Sequence, residues 1–271
     1  MDPMVLRRIL GAAVAGVLVA AALSGCARPG QQDADRVATW IGSQDQVVSA
    51  RASATTETMS SPGVEFEIAV DPAVSDDDLR DLAAASERRA QEAGWPRPRL
   101  IWHVGEGRSF SNGDRAAFEV FTRLRDDPRW LELSARGDGD CGAFYCVRIA
   151  DTDPASLQRA VVELLALAED AGGVQQNLEF DAVSADGDFR VSAQPAAGSE
   201  ASVALWQRVA ADVPLVSAWA WVVSSAEGHP ATLLLDLEVP DDTARAAAER
   251  IAATEPGVQT TVTVSGSPAR G

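Results

Sequence analysis

The sequence predicts an α+β fold of three tandem modules, each running helix, strand, strand, helix, strand, with an antiparallel or mixed sheet and two helices on one face. Three observations predict it. The same order of patterns recurs with a period of about eighty residues, beginning near Asp33, Ser111 and Ser199. The second strand of each repeat alternates apolar and polar residues with period two, the mark of a sheet covered on one side. Each of those strands then runs into an acidic helix start. The modules span 33–110, 111–196 and 197–265, leaving 266–271 as a disordered tail.

Taken in chain order within a module, the first helices place an aromatic at an equivalent point, Trp40, Phe121 and Trp206, on the apolar stripe that anchors a core. Among the second strands, Val64, Phe66, Ile68 and Val70 alternate with Glu65, Glu67 and Ala69; Tyr145, Val147 and Ile149 with Cys146 and Arg148; and Leu233, Leu235, Leu237 and Val239 with Leu234, Asp236 and Glu238. The helix starts that follow are Ser75-Asp-Asp-Asp78, Asp153-Pro154 and Asp241-Asp242. Their side chains accept hydrogen bonds from free amides and suit the positive helix end. Pro154 fits the first helical position. Stripes then follow: Leu79, Leu82, Ala83 and Ala90 up to Gly94; Leu157, Ala160, Val161, Leu164, Leu165 and Ala168 up to Gly172; Ala244, Ala247, Ala248 and Ile251 up to Pro256-Gly257. Closing strands are expected at 100–104, 178–183 and 258–264. After the first two, Gly105-Glu-Gly107 and Ala185-Asp-Gly187 read as turns into an extra short strand. With that strand in front, the next module becomes β-α-β-β-α-β, the ferredoxin-like order.

The first residues address the chain. Arg7 and Arg8 precede an apolar run, Ile9 to Leu23, that is shorter than the ~20 residues of a membrane span. The run ends in Leu23-Ser24-Gly25-Cys26, which resembles the lipobox of bacterial lipoprotein precursors. The resemblance implies cleavage before Cys26, a diacylglyceryl group on its sulfur, and often acylation of the new amino terminus. Residues 1–25 would be the signal peptide and 26–32 a tether. The mature chain would be lipid-anchored and extracytoplasmic, held stably at the cell membrane by two or three acyl chains. The membrane is thus an expected partner.

All 23 basic residues are arginine, a bias of GC-rich bacterial coding. Without lysine there is no Schiff base, pyridoxal phosphate attachment, phosphate-loop lysine or Ser-x-x-Lys acyl-enzyme pair. The net charge of −17 becomes −18 once residues 1–25, which hold Asp2, Arg7 and Arg8, are removed. Such an excess repels nucleic acid and anionic headgroups, so no nucleic-acid partner is expected. Solubility accounts for it, with capture of a cationic ligand as the alternative. Cys141 and Cys146 are the two cysteines left beside Cys26, an even pair that suggests a disulfide outside the cytoplasm. Two free thiols or a zinc half-site are the other readings.

Helix-strand-strand-helix-strand repeats of this size resemble the BON-type modules of bacterial envelope proteins. The best local match is Ala253-Thr-Glu-Pro-Gly-Val-Gln-Thr-Thr-Val262, echoed by Ala171-Gly-Gly-Val174. The glycine-bearing strand pair of that family is missing, and Gly94-Trp-Pro-Arg97 stands where Gly-Val is usual. The resemblance implies envelope association and lipid or partner binding without catalysis.

Trp219 and Trp221 lie two apart on a strand whose other side carries Val216, Ala218, Ala220 and Val222. With Leu234 on the neighbouring strand they form a candidate partner or glycan surface, unless another module stacks on that face. His103 falls on a closing strand and His229 in a hairpin turn. Neither pairs with a nucleophile, so no catalytic residue is assigned. Gly137-Asp-Gly-Asp140 and Asp71 with Asp76 to Asp78 lack a complete calcium loop and suit turns and caps. Arg136-Gly-Asp138 reads as a chance tripeptide. No metal and no cofactor is expected. The sequence reads as a non-catalytic envelope lipoprotein at the outer face of the cytoplasmic membrane, binding or assembling with an unidentified envelope protein. A carrier or sensor for a small apolar or cationic ligand is the alternative.

Overall fold

The computed structural model describes residues 30–55, 63–112, 115–137, 144–172, 175, 178–195, 197–223 and 231–266. The first repeat holds α1 (Gln31–Gly42), β1 (Val47–Thr55), β2 (Gly63–Val70), α2 (Asp76–Glu92) and β3 (Arg99–Val104). The second holds β4 (Arg108–Ser111), α3 (Arg115–Leu124), β5 (Trp130–Ala135), β6 (Tyr145–Ile149), α4 (Pro154–Asp170) and β7 (Phe180–Ser184). The third holds β8 (Phe189–Ala193), α5 (Glu200–Asp212), β9 (Ser217–Val223), β10 (Thr232–Val239), α6 (Asp242–Ala252) and β11 (Val258–Val264). Helix α1 begins at Gln31, inside the stretch expected to be a tether.

The expectation of three ferredoxin-like or BON-like modules with separate sheets is overturned. The chain is an α/β fold with one mixed sheet of eleven strands, ordered β1 to β11 as they occur in sequence. Hairpin pairs are antiparallel and every pair joined through a helix is parallel. The units fuse because their connections are short. Gly105, Glu106 and Gly107 alone join β3 to β4, with both glycines at positive φ (73° and 68°), so β4 must fold back onto the edge of β3. β7 and β8 join the same way through Gly187 at φ 86°. Each junction satisfies the strand edges that separate sheets would expose.

The ferredoxin-like order fails for a related reason. It would split each parallel pair with an intervening strand, whereas here β4 lies directly beside β5 and β6 beside β7. The strand order advances one way, neighbouring crossovers run in opposite directions, and the helices stay on one face. Successive crossovers must therefore differ in hand, which most sheets avoid.

Local chemistry follows the sequence closely. Ser75 Oγ accepts from Asp78 N–H at 3.1 Å, Asp153 Oδ2 from Ser156 N–H at 3.0 Å, and Asp241 Oδ1 from Ala244 N–H at 2.8 Å. Each strand buries one register row beneath the helices: Phe66 with Leu100, Ile68 with Trp102, Tyr145 with Phe180, Val191 with Ala220. The aromatics there pair, with centroids 6.0 Å apart for stacked Trp102 and Phe110, 4.8 Å for tilted Phe110 and Phe121, 4.8 Å for stacked Tyr145 and Phe180, and 5.8 Å for stacked Phe189 and Trp206. Phe121 and Trp206 are the buried anchors expected, while Trp40 is half-buried against the same core. Successive helices touch, and the first two units are tied by Arg125, which donates to the Val74 carbonyl at 2.8 Å and pairs with Asp76 at 3.2 Å. Among the described residues no helix is long and apolar enough to cross a membrane.

Candidate interaction surface on the open sheet face

The other face of the sheet carries no helix among the described residues, and period two decides what it displays. On β9, Ala218, Ala220 and Val222 turn under the helices, which sends Trp219 and Trp221 to the open side. Their indoles stack with centroids 4.9 Å apart and planes at 21°, and both remain half-buried. Leu234 is the register partner of Trp221, so the three residues singled out from sequence do come together. The alternative, a second module stacked over them, does not occur among the described residues, because the units join at their edges instead.

The cluster extends toward the second unit. Arg190 on β8 is the register partner of Trp219 and lays its guanidinium 4.7 Å from that ring's centroid. It also pairs with Asp181 on β7, whose carboxylate is fully buried and whose Oδ1 has no hydrogen-bond partner among the described residues. Burial pushes the Asp181 carboxyl up to about 6, while Arg190 and a hydrogen bond from Ser192 pull it back. Ser192 Oγ in turn accepts from Trp219 Nε1 at 2.9 Å. Trp221 Nε1 donates to Asp236 Oδ2 at 3.3 Å.

Both indole N–H groups are thus spent inside the protein, and Asp181 balances the charge of Arg190. What remains exposed is ring surface beside acids. A groove of about 460 Å³ runs past Trp219 and Arg190, bounded by Asp188, Asp236, Glu238, Thr261 and Thr263. That arrangement suits an apolar or cationic group and offers no anion a net positive partner.

Arg190, Asp181, Ser192 and Asp236 were not legible as site residues, since their approach to the tryptophans depends on cross-strand register. The one signal was an acid, Asp181, set between Phe180 and Ala182 on a closing strand. Cys146, the register partner of Asp181, is also buried on this face. Cys26, Cys141, His229 and the 138–140 part of the glycine-aspartate motif lie outside the described residues. His103 is half-buried on β3 opposite Ser109, six strands from Trp219. Asp71 Oδ1 accepts from Ala73 N–H at 2.8 Å and Ser75 caps α2, as turn and cap chemistry requires. Among the described residues no three His, Cys, Asp or Glu side chains gather as a metal site. The chain matches no known family model and none of the curated proteins with which it was compared.

Proposed function

We propose that this chain is a non-catalytic, lipid-anchored binding or assembly component at the outer face of the cytoplasmic membrane, and that the Trp219/Trp221 face is where its partner docks. The observation that carries the reading is the stacked indole pair: two large rings kept partly in water, with their N–H groups already satisfied, beside a core filled elsewhere by buried aromatics. Aromatics presented this way are the usual anchors of protein interfaces. The address rests on the lipobox resemblance at Cys26, and a Cys141–Cys146 bridge belongs to the same proposal. Carriage of a small apolar or cationic ligand is the second reading, favoured by the acid-rimmed groove beside Trp219.

One experiment on the full chain addresses anchor and surface together. Cys26→Ser should abolish lipid labelling and release the chain from membranes. Trp219→Ala with Trp221→Ala should leave it labelled and folded but strip a stoichiometric partner from detergent extracts. A labelled, membrane-bound serine variant would refute the anchor, and a partner retained by the double variant would refute the surface.

A further inference from the structure

The two edges of the sheet are finished differently. At β1 the side-chain amide of Gln31 donates through Nε2 to the Ala52 carbonyl at 3.0 Å and accepts the Ala54 N–H through Oε1 at 3.0 Å. One side chain stands where a neighbouring strand's backbone would be. The register of β1 also breaks between Val47 and Ser49, and Arg51 puts a charge on the strand. These are the devices by which sheets refuse further pairing. β11, Val258-Gln-Thr-Thr-Val-Thr-Val264, has neither charge nor proline and stays in unbroken register with β10. Since Ser265 N–H points inward to the Val239 carbonyl at 2.9 Å, strand alternation turns the N–H groups of Thr260 and Val262 outward, to an edge on which no described strand pairs.

The internal repeat says what such an edge accepts. β3, β7 and β11 close the three units in the same way, each parallel to the strand before it. β3 and β7 carry an antiparallel strand on the other side, β4 and β8. We propose that β11 takes its antiparallel neighbour from a second copy of this chain, β11 against β11, about a twofold axis normal to the sheet. The guarded β1 edge opposes head-to-tail growth, which leaves the closed symmetric pair, the commonest form of homo-oligomer. Neutrality is what permits it: in a chain of net charge −17, an acidic edge would repel its twin. The axis keeps all helices on one side, so that α6 meets its mate as α4 meets α5 across the β7–β8 junction. It also places both Trp219/Trp221 pairs on one continuous face, five strand spacings or roughly 24 Å apart.

Sedimentation equilibrium of the purified full chain in density-matched detergent tests this, because with no other protein present the mass it reads is independent of any partner at the tryptophans. We expect twice the protomer mass. Thr260→Pro removes an edge donor without removing a bond to β10, and Thr261→Lys with Thr263→Lys sets like charges along the paired edge. Each should weaken self-association at least tenfold with the melting curve by circular dichroism unchanged. A monomer at the highest soluble concentration, or a dimer indifferent to the lysines, overturns the proposal; the lysine variant decides alone if the proline variant does not fold.

Discussion

On β9, Ala218, Ala220 and Val222 disappear beneath the helices, while Trp219 and Trp221, each one residue away, keep part of their rings in water. The usual assignment of size to side is reversed there, small residues inward and large ones outward. On β7 the order is ordinary on one side, Phe180 and Ala182 under α4, and unusual on the other, where Asp181 is buried with no described helix over it. The helix side is selected for filling, so that its residues are interchangeable at matching volume. The open side is selected for specific pairing, so that Arg190, Asp181, Ser192 and the indoles depend on one another's positions.

The largest difference between the faces should appear when one tryptophan is removed from each. Trp206 is fully buried on α5 and stacked on Phe189; Trp206→Ala leaves a cavity the sheet cannot close and should cost about 3–5 kcal/mol. Trp221→Ala, taken from the open side, should cost about 1–2 kcal/mol, in keeping with its partial burial. Urea unfolding followed by far-ultraviolet circular dichroism measures both. Equal costs would mean that the open face is covered in solution.

A pH series sharpens the comparison further. The folded state raises the Asp181 carboxyl to about 6 from an ordinary 3.8, so between those values the native protein holds a proton that the unfolded chain releases. The contribution of Asp181 is therefore fully present below the lower value and lost as pH rises through the upper one, by about 3 kcal/mol. Measured against Asp181→Asn, which does not titrate, the relative stability of the parent should be greatest near pH 4 and should fall by that amount towards pH 7. A constant difference would place Asp181 in water.

How much of this could be read from sequence divides along the same line. The helix side was legible: Phe121 and Trp206 as anchors, the stripes of α2 and α4, the caps at Ser75, Asp153 and Asp241, because these are local consequences of periodicity and amide chemistry. The joining of the strands was not, since a period-two pattern says which side a residue faces but not which strand lies beside it. The turns at Gly105–Gly107 and Gly187 were recognised without seeing that they fuse the units. For the same reason the adjacency of Trp219, Trp221 and Leu234, on two neighbouring strands of one repeat, is legible in the sequence, while that of Asp181 and Arg190 is not, since their partnership crosses from the second unit into the third.

The smallest effect tests whether burial or mere pairing gives the open side its importance. Glu65 and Arg99 are register partners on that face, 2.8 Å apart, with side chains 33% and 49% exposed. The Arg190–Asp181 pair joins the same chemical groups on the same face, but its aspartate is sealed from water. In a double-mutant cycle Glu65→Gln with Arg99→Gln should show a coupling of about 0.2–1 kcal/mol that fades in high salt, because solvent screens both charges and their ordering costs entropy. Coupling between Asp181 and Arg190 should be larger and persist in salt, since breaking it strands a charge in the sheet. If the two couplings proved alike, cross-strand geometry alone would set their strength, and the sealed aspartate would lose its claim to distinguish the centre of this face from its margin.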